Sequence, residues 1–164
     1  MAGKIQEKLS HSPLQNHDHA ACIRSVLDQA KQLCAERGVQ LTAIRYQVLE
    51  LIWDSHKAVK AYDLLDKIKP LQPAAKPATI YRALDFLLEQ GLIHRIESLN
   101  AFMGCGHSGH PNEELKLICV QCHEVEERPA TELMRALANE IKQAGFLQQS
   151  RVLEIHGVCA KCAA

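Results

Sequence analysis

The sequence predicts an α+β protein, helices first and strands after, in two units. Three observations predict it. Four stretches with apolar residues at helical spacing run from about residue 20 to Gly91. Two short β-like runs follow at once. Beyond them Cys119 and Cys122, then Cys159 and Cys162, form two C-x-x-C pairs 36 residues apart, among three strand patterns and one more helix.

Residues 1–19 are polar and irregular, with Pro13 and three histidines (His11, His17, His19), and read as a mobile arm. The first unit spans 20–105. Its first helix carries Ile23, Val26, Leu27, Ala30 and Leu33 on one face, with Gly38 as its stop. Thr42 is a good N-cap for a second helix over 43–54 that carries Leu49, Ile52 and Trp53. A third helix covers 61–69, with Leu64, Leu65 and Ile68 inward, and Pro70 and Pro73 close it. Lys76-Pro77 opens a fourth, placing proline at the permissive first turn. That helix buries Ile80, Leu84, Leu87 and Leu88 and ends at Gly91. Runs 92–98 and 101–105 then form a hairpin around Leu99-Asn100, so the unit reads as a winged helix-turn-helix.

A hinge loop over 106–114 leads to a second unit, 115–164. Strands at 115–119 and 125–128 flank the first C-x-x-C. An amphipathic helix at 131–144 carries Leu133, Leu137 and Ile141, and a strand at 151–155 precedes the second pair. About 50 residues bury little surface alone, so this unit needs a staple and a partner chain. The cysteines supply the staple: two thiolates from each turn complete the tetrahedral sulfur shell that zinc prefers. Redox motifs and disulfides fit less well. Seven cysteines are an odd number, and Cys159–Cys162 lies at the end of the sequence rather than before a helix. The expectation is a dimerisation domain.

Bulk properties point to a cytosolic protein: 47% of residues are hydrophobic, and neither a leader nor an apolar run of about 20 residues is visible. Formal net charge is zero, so a polyanionic partner must be argued from motifs. Enzymatic zinc is disfavoured. Deaminases need H-x-E with P-C-x-x-C, yet Ile118 and Val158 precede the pairs here, and HExxH is absent.

The run Lys76-Pro77-Ala78-Thr79-Ile80-Tyr81-Arg82-Ala83-Leu84, the segment Leu41-Thr42-Ala43-Ile44-Arg45 and the two C-x-x-C pairs resemble the ferric uptake regulator family. Ala61-Tyr62-Asp63-Leu64-Leu65 and 81–91 resemble its zinc-sensing branch. The resemblance covers roughly 25–162 and implies a homodimeric, metal-dependent repressor that binds double-stranded operator DNA. The residues agree. The fourth helix presents Thr79, Arg82, Asp85 and Phe86 opposite its leucines, with Tyr81 at the edge. Arg82 can fork onto guanine O6 and N7, and Tyr81 can meet a thymine methyl or a phosphate. Lys76 suits a phosphate, as does Arg45, and the resemblance adds Tyr62 as a backbone or groove contact.

A second, regulatory metal site is expected as well. If the hairpin turns at Leu99-Asn100, Ser98 faces Ala101 and His94 stands opposite Cys105, within reach of one ion. The resemblance supplies the matching ligands: His94, Cys105, a loop histidine and an acidic residue after the first pair. His110 is preferred over His107, and Glu127 over Glu126. A thiolate among imidazole and carboxylate ligands favours zinc over iron or manganese. Another metal, a peroxide stimulus, or a constitutive DNA-binding module whose zinc is purely structural remain alternatives. The family usually has glycine where His123 stands.

Overall fold

The computed structural model describes residues 19–54, 57–105, 114–148 and 153–163. Four helices come first: α1 (His19–Glu36), α2 (Ala43–Trp53), α3 (Ala61–Ile68) and α4 (Pro77–Glu89). Strands β1 (Ile93–Ile96) and β2 (Ala101–Gly104) follow, then β3 (Glu114–Cys119) and β4 (Val125–Pro129). Helix α5 (Thr131–Gln143), strand β5 (Leu153–Gly157) and a last short turn, α6 (Ala160–Ala163), complete the chain.

The helices close around one apolar core. Leu27, Ala30 and Cys34 of α1 pack with Leu49 and Ile52 of α2, Leu64 and Ile68 of α3, and Ile80, Leu84 and Leu87 of α4. Gly38 and Gly91 end α1 and α4 at positive φ, 66° and 68°, a left-handed stop that glycine takes without a Cβ clash. Pro77 sits at the start of α4, and the Thr79 hydroxyl accepts the Lys76 N–H at 3.2 Å. Phe86 departs from expectation. It is 8% exposed and belongs to the core rather than to the outer face of α4.

The wing pairs β1 with β2 antiparallel, and Val59 bridges to Phe102 on the far side of β2 with two 2.8 Å bonds. Its register corrects the sequence reading. A 3₁₀ turn over Glu97–Leu99, with Asn100 left-handed, lengthens the connection. Ile96 therefore faces Ala101, His94 faces Met103, and Cys105 donates its N–H to Leu92. The shift is two residues. Because side chains alternate with period two, His94 and Cys105 stay on one face as diagonal neighbours.

The second sheet has the order β4-β3-β5, antiparallel between β3 and β4, parallel between β3 and β5. In α5 the buried place falls to Met134, while Leu133 is 50% exposed. The wing face that carries His94 rests on this sheet. Ile96 and Met103 pack with Ile118 and Val125, and Lys57 bridges to Glu124.

Candidate metal and nucleic-acid sites

Parallel pairing of β3 and β5 brings the two C-x-x-C turns together. Cys119 is in register with Gly157, so both turns leave the same end of the sheet side by side. The four sulfurs of Cys119, Cys122, Cys159 and Cys162 lie within 4.8 Å of one another, and Cys122 Sγ is 3.8 Å from Cys159 Sγ. A tetrahedron with Zn–S bonds of ~2.3 Å has edges of about 3.8 Å. The set therefore fits zinc.

Backbone N–H groups of Cys122 and Cys159 point at the Cys119 sulfur, the latter at 3.4 Å, and pull its thiol from 9.0 down to about 6. The neighbouring thiols of Cys159 and Cys122 push Cys162 up to about 12. Crowded sulfurs cannot all ionise unless a cation neutralises them. Lys161 braces the second turn through Glu124 at 3.3 Å. His123 ends the first turn at φ 59°, donating its N–H to Cys119 O. That left-handed backbone explains why glycine suits this position.

A second cluster lies where the wing meets the sheet. His94 Nε2 from β1 and Glu127 Oε1 from β4 approach to 3.6 Å, with side chains 10% and 7% exposed. A tetrahedral ion with bonds of ~2.0–2.1 Å would set its N and O ligands about 3.3 Å apart, so the pair fits one with little movement. Cys105 is half-buried on the same wing face, just beyond β2. His107 and His110 lie outside the described residues. The strand's alternation separates the two acidic candidates. Glu127 points to the wing, whereas Glu126 is held by Arg128 at 2.8 Å. Lys116, directly across β3 from Glu127, places its ammonium 3.6 Å from the same Oε1.

Sequence reading missed a further contact. On β5 the Glu154 carboxylate accepts the N–H groups of Glu97 at 2.9 Å and Ser98 at 3.2 Å, capping the wing's 3₁₀ turn. Burial opposes this carboxylate's charge more than any other single influence. The Ser98 hydroxyl, the two N–H groups and His156 together outweigh it, and its pKa falls below 4.5. No motif flags this residue; only the fold brings it to the turn.

The expected DNA contacts gather at the starts of α3 and α4. Tyr62 is 66% exposed and Tyr81 43%, while Lys76 and Arg82 are exposed beside them. Thr79 is half-buried, its oxygen engaged in the cap. Arg45 is set apart: its guanidinium lies 3.7 Å over the Phe86 ring and donates to Gln40 O at 2.5 Å.

A winged helix joined to a sheet that ends in four convergent thiols is the architecture of a metal-linked regulator. The chain belongs to the ferric uptake regulator family, which matches residues 36–156. It is 42% identical over 143 residues to the zinc uptake regulation protein of Escherichia coli strain K12, covering 85% of this chain and 82% of that one. Its fold is similar to a solved zinc uptake regulator complexed with zinc and DNA, with TM-score 0.82 and 39% identity over 86% of this chain and 95% of that one. It is also similar to XcZur. The holo form gives TM-score 0.77 at 44% identity, covering 85% and 97% of the two chains; the apo form gives 0.51 at 43%, covering 87% and 98%.

Proposed function

We propose that the chain is a zinc-responsive transcriptional repressor of zinc-uptake genes, binding pseudo-palindromic operators as a homodimer. One observation carries the reading: His94 of the wing and Glu127 of the sheet meet, buried, at the junction of the two units. With Cys105 and a loop histidine, His110, they form the regulatory site, while Cys119, Cys122, Cys159 and Cys162 hold a structural zinc. Zinc supplies a positive charge that both the wing and the sheet can ligate. His94, Cys105 and Glu127 then hold the wing in one orientation and fix the spacing of two recognition helices. A thiolate and a carboxylate balance the ion's charge, so the coupling is conformational rather than a change in long-range attraction to DNA. The likeness in arrangement, nearer to holo than to apo XcZur, supports this reading.

Lys76 at the N-cap of α4 and Thr79, Tyr81 and Arg82 within it, with Tyr62 on α3, form the reading surface, and Arg45 braces α2 against α4 at its edge. The dimer reading rests on β5, which has a partner on one side only among the described strands, and on exposed Leu133, Phe146, Leu147 and Ile155.

Zinc per protomer, counted before and after a mild chelator, tests the reading together with operator binding in zinc-buffered solution. Two ions falling to one, with loss of operator binding, is the expected result. His94→Ala and Cys105→Ser should keep the fold and one ion yet weaken zinc-dependent binding by about tenfold or more, as metal-site disruptions do. Operator affinity that ignores the chelator would leave a constitutive DNA-binding module with structural zinc.

A further inference from the structure

Lys116 is the buried charged residue among those described, 5% exposed in a strand whose neighbours Leu115, Leu117 and Ile118 are apolar. A lysine is rarely buried this far without a partner. Its ammonium lies 3.6 Å from Glu127 Oε1, the same oxygen that lies 3.6 Å from His94 Nε2. Cross-strand register also puts Glu154 opposite Lys116 on its other side. Glu127, Lys116 and Glu154 thus make a row of alternating charge across the sheet. Directly opposite residues share a face, and both carboxylates of this row engage the wing.

We propose that Lys116 sets the free-zinc threshold of the regulatory site, its ammonium competing with the metal ion for Glu127 Oε1. The inference rests on the reading of His94 and Glu127 as metal ligands. Two cations on one carboxylate oxygen repel, and burial weakens the screening between them. Any ion drawn to Glu127 must push the ammonium aside or tolerate it, and affinity falls either way. Glu154, across the strand, gives the displaced ammonium an anion to turn to. The effect disfavours every divalent ion. Weaker-binding metals would then fail first, while zinc still loads.

The test compares Lys116→Met, Lys116→Gln and Lys116→Arg in the full-length dimer with its cysteine-bound zinc intact. The exchangeable zinc is titrated against a competing chelator. Met and Gln should lower the half-saturating free zinc by about tenfold or more, and Arg, which keeps the charge, should stay within about twofold of the parent. With exchangeable zinc removed, Met should also lower Tm, because the buried Glu127 carboxylate loses the Lys116 ammonium 3.6 Å away, and Arg should restore it. A midpoint that Met and Gln leave unchanged or raise, or that Arg shifts as far as they do, overturns the proposal. His94→Ala and Glu127→Gln separate the two readings. If they lose the exchangeable ion while the Lys116 variants do not move it, the threshold role alone fails. If they bind it like the parent, the site reading fails and the threshold role falls with it.

Discussion

At the scale of single residues, the backbone explains positions that composition leaves mute. His123 holds a left-handed φ of 59°, which a side chain occupies at a penalty of about 1 kcal/mol relative to glycine. His123→Gly should therefore raise the unfolding free energy of the zinc-loaded protein by about that amount, seen as a higher denaturant midpoint, and an unchanged midpoint would count against the strain. Gly104 is tighter. A Cβ built there falls inside the Trp53 indole, so Gly104→Ala should destabilise the fold by about 1–3 kcal/mol, the usual range for overpacking. Thermal unfolding measures it. The four sulfurs respond to acidity. Cys119, held down at about 6, is already a thiolate at neutral pH, whereas Cys162, pushed up to about 12, gives up its proton only to a metal. A depressed thiol stabilises the fold fully above its ordinary 9.0 and loses that contribution as pH falls through about 6. Zinc retention against a fixed chelator should accordingly weaken from pH 7.5 towards 6, with more than one proton taken up per ion released. Retention that does not change with pH would contradict this.

Elements were more legible than their joints. Helical periodicity, Pro77 and the glycine stops mark α1 to α4 within a residue or two, because each signal is local. The wing's register was not legible. Leu99-Asn100 looked like a two-residue turn, yet Glu97–Leu99 coils into a 3₁₀ turn before Asn100 reverses the chain. Glu154, 57 and 56 residues downstream of Glu97 and Ser98, accepts the turn's N–H groups. Phe86 was misplaced for a related reason. Periodicity puts it near the outer face of α4, yet it packs with the core while the Arg45 guanidinium lies over its ring. The cysteine set, by contrast, was fully legible, since its spacing is itself the chemistry. Of the proposed regulatory set, His94 and Glu127 lie 3.6 Å apart, and the wing register, two residues off the expected one, leaves His94 and Cys105 on one face. Inserting two residues into the wing turn should spare zinc-dependent operator binding far better than inserting one, which would shift β2 against β1 and turn Cys105 off the face that carries His94. Operator titrations of the two insertions would decide it.

At the scale of the whole molecule, the proposed regulation acts on the junction between wing and sheet. Among the described residues its fastenings include the apolar contact of Ile96 and Met103 with Ile118 and Val125, the Lys57–Glu124 bridge, the Glu154 cap and the His94–Glu127 pair. Only the His94–Glu127 pair belongs to the proposed metal site, so the other contacts would hold the wing near its working position beforehand. Glu154→Gln should loosen that preparation by about 1 kcal/mol, allowing for partial solvent exposure, and raise the zinc needed for operator binding a few-fold. The Glu154 contribution is complete above pH 4.5 and fades only as pH drops through its lower folded value. The variant's effect should thus be constant from pH 6 to 8, and a pH-dependent difference would assign it to another group. Trp53 adds one more consequence. It is the chain's single tryptophan, and its indole covers Gly104, the residue before Cys105. The protein therefore carries a native fluorophore packed against the residue that precedes Cys105, the thiol proposed as a zinc ligand, and emission from that one ring offers a readout of this junction in unlabelled protein.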